Sequence, residues 1–94
     1  MKYFAVFLPM LSIEKSQEYR SQHLAFLEKK RIEGKIFANG RFVDGAGGLV
    51  IYMAQTEEEV KEIVLEDPYV IQKARGFEIH EWDMVTDAVL KTQK

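Results

Sequence analysis

Residues 35–54, KIFANGRFVDGAGGLVIYMA, place two apolar runs on either side of a glycine-rich turn. The first, KIFANGRFV (35–43), is rich in β-branched and aromatic residues and predicts a strand with a bend near Gly40. LVIYMA (49–54) predicts its partner. The connecting DGAGG (44–48) consists of residues suited to tight turns and positive φ, so the stretch reads as a hairpin.

Helical patterns flank the hairpin on both sides. EKSQEYRSQHLAFLEKKRIE (14–33) predicts one long helix ended by Gly34, a residue suited to the left-handed position past a helix C-terminus. TEEEVKEIVLE (56–66) opens with Thr56 and Glu59, the spacing of a capping box, and carries acidic residues where the helix dipole favours them. Farther out, KYFAVFLP (2–9) is apolar on both faces and predicts a central strand stopped by Pro9. FEIHEWDMV (77–85) alternates with period two and predicts the last strand. The order β-α-β-β-α-β defines an α+β, ferredoxin-like plan: a four-stranded antiparallel sheet with two helices on one face. One domain over residues 1–94 is expected, with 86–94 as a polar C-terminal tail.

Bulk composition narrows the function classes. The formal charge is −2, acidic and basic residues are interspersed, and no basic block of the kind that neutralises a phosphate backbone is present. RNA-recognition domains share this element order but need aromatic and basic residues on their middle strands; LVIYMA has one Tyr and neither Lys nor Arg. Nucleic acid is therefore not an expected partner. MKYFAVFLPML is too short for a membrane span and reads as a strand rather than a signal peptide, so no membrane association is expected. With no cysteine, disulfides, thiolate metal sites and a Cys nucleophile are excluded, which fits a cytoplasmic protein.

Two helices cover one face of such a sheet. Alternate residues of YFAVFL, LVIYMA and FEIHEW leave much of the other face apolar as well, in a chain that is 47% hydrophobic. An apolar face of that size is unusual on a soluble monomer, and the economical solution is a homodimer packed sheet to sheet through the open face.

On a helical wheel at about 100° per residue, Tyr19, His23, Phe26, Leu27 and Lys30 share one side of the first helix. Arg20 stands at the edge of that side, one turn before His23. The stripe of Val60, Ile63 and Val64 continues to Asp67. Both helices lie on one sheet face in this plan, so an inward His23 and an inward Asp67 can meet. Asp67 would then hold one ring nitrogen and fix the tautomer, leaving the other as general base or acid. Structural readings stand beside this one. Asp67-Pro68 is a common N-cap and N1 pair for a short helix over DPYVIQKAR, and a His among apolar residues is often only a core residue. Capping and orienting are compatible, because a carboxylate has two oxygens.

Other candidates carry less. His80 shares a strand face with Glu78 and Trp82 and has no clear metal-ligand spacing, so no metal is expected. DGAGG lacks the Lys-Ser/Thr of a phosphate loop and lies between strands. Ser12, Ser16 and Ser21 lack the context of a nucleophile.

The combination of Arg20-x-x-His23-Leu24-x-x-Leu27, Gly40, the Gly47-Gly48 turn entering an apolar strand, Asp67-Pro68 and a closing strand ending at Trp82 resembles the YciI-like (YCII-related) family over nearly the whole chain. The resemblance implies a ferredoxin-like fold assembled into a dimeric α/β barrel. It implies that His23 and Asp67 match the pair regarded as the family's active site, with Arg20 three residues before the histidine. Relatives include a dehydrochlorinase, expected to act on a chlorinated muconate-type compound, and the wider barrel group includes muconolactone isomerases. The implied function is acid/base chemistry on a small anionic metabolite, of isomerase, lyase (dehydrochlorinase) or hydrolase type, without an organic cofactor. Arg20 would anchor a substrate carboxylate through two parallel hydrogen bonds. Tyr19 and the DGAGG backbone are candidates for substrate contacts. A non-catalytic small-ligand-binding module or sensor of the same fold is the alternative.

Overall fold

In the computed structural model, which describes residues 1–88, the sheet has the order β2-β3-β1-β4 and every pairing is antiparallel. Strand β1 spans Lys2–Pro9, β2 Ile36–Arg41, β3 Gly47–Ala54 and β4 Glu78–Trp82. The two central strands are β1 and β3, as their apolar sequences require; Val6 pairs with Val50 on one side and Ile79 on the other. This is the ferredoxin-like arrangement. The bend expected at Gly40 is instead a register irregularity between Ile36 and Ala38. Exposed, irregular chain starts before residue 86, and residues 89–94 of the expected polar tail lie outside the described residues.

Helices cover one sheet face, α2 (Arg20–Ile32) and α3 (Glu57–Val64) carrying most of the packing. Phe4, Val6, Leu8, Val50 and Tyr52 meet Leu27 of α2 and Val60 and Val64 of α3 in the core. Each such side chain contributes about 1.5–3 kcal/mol relative to exposure. Thr56 caps α3, its Oγ1 accepting from Glu59 N–H at 3.2 Å, while Glu59 reaches back to Gln55 N–H rather than to the cap itself. Gly34 takes φ +78° just past α2, as its position after the helix predicts.

Gly47 opens β3 at φ +140°, and a Cβ there would lie 2.1 Å from the Leu8 carbonyl oxygen. Only glycine lets the hairpin re-enter the sheet so close to β1.

The long first helix is broken. Helix α1 covers Ile13–Glu18 and Tyr19 leaves helical geometry before α2 begins, where the sequence predicts a single element. The break has a distant cause: the Tyr69 hydroxyl donates to the Ser16 carbonyl at 2.9 Å. That carbonyl is the acceptor Arg20 N–H would use in a continuous helix, and a side chain inserted into the ladder is a recognised source of kinks.

The opposite sheet face carries Tyr3, Phe7, Phe37, Phe42 and Trp82, with Tyr3–Phe37 and Phe7–Phe42 in edge-to-face contact. His80 pairs with Ala5 on this face and is exposed beside Glu78, at 3.6 Å. No helix among the described residues is long and apolar enough to cross a membrane.

Candidate active site

His23 and Asp67 meet, although 44 residues separate them in sequence. His23 Nδ1 lies 2.7 Å from Asp67 Oδ1; the His23 and Asp67 residues are 7% and 1% exposed. An ionised carboxylate can only accept, so with Asp67 ionised and the ring neutral the proton of this bond would sit on Nδ1 and the lone pair on Nε2. The same Oδ1 accepts from Tyr69 N–H at 2.9 Å, which makes Asp67 the N-cap of the short helix α4 (Pro68–Ile71). The cap of α4 and the contact to the imidazole are thus made through one oxygen. Oδ2 is buried without a hydrogen-bond partner among the described residues.

Around this pair the side chains are layered. The rings of His23 and Tyr69 stack with centroids 3.9 Å apart and planes 13° from parallel. The Arg75 guanidinium covers the Tyr69 ring at 4.5 Å from its centroid. Arg75 is itself buried, and its Nε donates to Ser16 Oγ at 3.1 Å. Burial pushes the Tyr69 phenol above its ordinary range, against the pull of the Arg75 and Arg20 guanidiniums. Burial also holds the Arg75 guanidinium below its ordinary value, with Tyr69 and Asp67 opposing and Arg20 adding to the shift.

Arg75 is brought inward by the end of α4. Ala74 N–H donates to the Tyr69 carbonyl and Lys73 N–H to the Val70 carbonyl, the two bonds of a Schellman motif. Lys73 occupies the position usually given to glycine, at φ +60°. The reversed chain is then stitched to the end of β1, with Leu11 and Ser12 N–H donating to the Ala74 carbonyl and Gly76 N–H to that of Pro9.

A cavity of about 230 Å³ opens between α2 and the β2–β3 end of the sheet. His23, Arg20, Arg41, Asn39, Tyr69 and Arg75 supply its polar lining, over a floor of Leu8 and Val50. Gly40 and Gly48 also line it, the latter from the DGAGG turn. Tyr19 stands half-buried at the helix break and lines neither this cavity nor the adjoining one. Tyr69, Arg75 and Ser16 belong to the site architecture but have no marker in the sequence. The Asp-Pro step does signal the start of α4, and a residue two past an Asx cap is a fair place to seek a buried partner.

The fold and the buried pair define a small α+β domain with a histidine oriented over a polar cavity. The YCII-related domain matches residues 1–83, and the chain belongs to that family. It is 30% identical over 82 residues to the uncharacterized protein YjpA of Bacillus subtilis (strain 168), covering 87% of this chain and 96% of that one. Its fold is similar to that of 5-chloro-2-hydroxyhydroquinone dehydrochlorinase from Burkholderia phenoliruptrix AC1100, whose structure is a complex with 2,5-dihydroxybenzoquinone. The TM-score is 0.75 at 22% identity, over 86% of this chain and 93% of the other. The dehydrochlorinase found with this fold is therefore named for a chlorinated hydroxyhydroquinone, where the family resemblance suggests a muconate-type compound.

Proposed function

We propose that the protein is a small enzyme in which His23 performs general acid/base chemistry on an anionic metabolite and Asp67 orients it. The observation that supports this most is the 2.7 Å contact between His23 Nδ1 and Asp67 Oδ1, made by a histidine that also lines a polar cavity. Nε2 takes a proton from a carbon next to a carbonyl. The electron pair moves onto the carbonyl oxygen, giving an isomerisation when the proton returns elsewhere, or expels a leaving group from the adjacent carbon, giving an elimination. Positioned proton transfer supplies about 10²–10⁴-fold. Guanidiniums at the cavity wall stabilise the oxygen that gains charge, with Arg20 as a carboxylate anchor. This chemistry calls for no organic cofactor.

Elimination of chloride is the reaction suggested by the name of the structural relative, so its hydroxylated, chlorinated ring is tested beside carboxylate substrates. The open sheet face supports a homodimer, since five aromatic side chains gather there on one copy.

The test uses proton NMR in deuterated water with 5-chloro-2-hydroxyhydroquinone and a panel of small oxo acids. The wild type is expected to release chloride or to incorporate deuterium at an acidic carbon, and His23→Ala to do neither. A compound that binds tightly and is recovered unchanged and unexchanged from the wild type would make the protein a sensor instead.

A further inference from the structure

Arg20, Arg41 and Arg75 each line both the His23 cavity and an adjoining one of about 290 Å³. They come from three separate elements: the first residue of α2, the last of β2, and the loop before β4. Among the described residues no Asp or Glu lines either cavity, and none of the three arginines has a carboxylate at ion-pair distance. Three guanidinium charges therefore gather at the two cavities against the single buried carboxylate of Asp67 among the described residues, leaving the arginines a surplus of two. Arg75 is the costliest of these charges, because it is 9% exposed and bound through Nε only to a neutral hydroxyl. Its Nη1 reaches the Gly48 backbone, where a Cβ would stand in ordinary contact at 3.6 Å.

We infer that these three arginines form a site for a small dicarboxylate at the junction of the two cavities, with Arg75 as the residue that determines specificity. Two anionic groups match the surplus charge. A guanidinium fork matches the plane of a carboxylate, and arginines spread over three elements suit two separated carboxylates better than one compact anion. Arg75 is pre-organised for this role, since the Tyr69 ring and Ser16 fix its plane before any ligand arrives. The inference rests on reading the His23 cavity as the working site and names the charge class of its substrate.

Isothermal titration calorimetry with malonate, succinate and propionate at one ionic strength tests it on the full chain. A dicarboxylate is expected to bind at least about 10-fold more tightly than propionate. Arg75→Gln is expected to weaken that binding by roughly 10–100-fold, and Arg75→Lys to recover only part of it because the fork is lost. Arg41→Gln lies on an exposed strand end and keeps the fold, so it is expected to weaken the dicarboxylate even where Arg75→Gln fails to fold. Lys61→Gln, on the exposed side of α3 and outside both cavities, is expected to stay within about 3-fold of wild-type affinity, well inside 1.4 kcal/mol. A protein that binds dicarboxylates through its arginines yet exchanges no proton would thus keep this inference and lose the enzymatic one. Equal affinity for propionate and both dicarboxylates, or dicarboxylate affinity unchanged in Arg41→Gln and in folded Arg75→Gln, overturns it.

Discussion

The imidazole of His23 lies flat on the phenol ring of Tyr69, 3.9 Å between centroids, and Asp67 holds both residues through the same oxygen. Arg75 closes the stack on the far side of Tyr69. One acidic residue at the start of a four-residue helix thus fixes the position of a histidine, a tyrosine backbone and, through the tyrosine ring, an arginine.

Tyr69→Phe separates the stack from the hydroxyl. The ring contact with His23 remains, while the Ser16 carbonyl loses the donor it has at 2.9 Å. The expected cost is about 1–3 kcal/mol for a buried acceptor left unpaired. At about 4–8 °C per kcal/mol for a domain of this size, a calorimetric melting temperature lower by at least about 4 °C is expected.

Asp67 combines two roles that substitutions can separate. Asn is as good an N-cap as Asp, so Asp67→Asn is expected to melt close to the wild type. Its catalytic rate is expected to fall about 10²–10⁴-fold, since the amide no longer enforces one histidine tautomer. Asp67→Ala loses the cap as well, at about 0.5–2 kcal/mol, and is expected to be both inactive and less stable. Melting curves and the deuterium-incorporation assay, run on the same two variants, check this.

How legible each part was in the sequence follows from how local its cause is. The hairpin over 35–54 and the caps at Thr56 and Asp67 depend on residues a few positions apart, and their chemistry marks them. His23 and Asp67 were traceable because each continues an apolar stripe that must face the same sheet. The break at Tyr19 was not, because its cause is a hydroxyl 53 residues from the Ser16 carbonyl that it engages. Arg75 was hidden for a different reason. DPYVIQKAR reads as one short helix, whereas α4 ends at Ile71 and the left-handed turn at Lys73, a residue with no preference for that conformation, sends Arg75 inward.

The open face is expected to bring two copies together. Light scattering at micromolar concentration is expected to give twice the chain mass. Trp82→Glu, on an exposed position of that face, is expected to shift the protein towards monomer without unfolding it, as a charge there is solvated in one copy and buried in two. A wild-type monomer at those concentrations would remove the dimer.

Alkaline pH offers a check on the core beside the site. Burial, with the Asp67 charge as a second cause, raises the Tyr52 phenol well above its ordinary 10.0. Above that pH the unfolded chain releases a proton the folded chain retains, so this contribution is complete below about pH 10 and declines as pH rises beyond it. Tyr52→Phe is expected to show a shallower loss of stability above pH 10 in denaturant titrations, with the two proteins running parallel at neutral pH.

The most direct measurement of the central claim is the tautomer of His23, read from side-chain nitrogen–proton correlation NMR at a pH where the ring is neutral. The expected spectrum has the proton on Nδ1, in the bond to Asp67, and a bare Nε2 available to a substrate; in Asp67→Ala the preference is expected to relax towards the Nε2–H form. A wild-type ring protonated on Nε2 would leave no base at the cavity and would contradict the account.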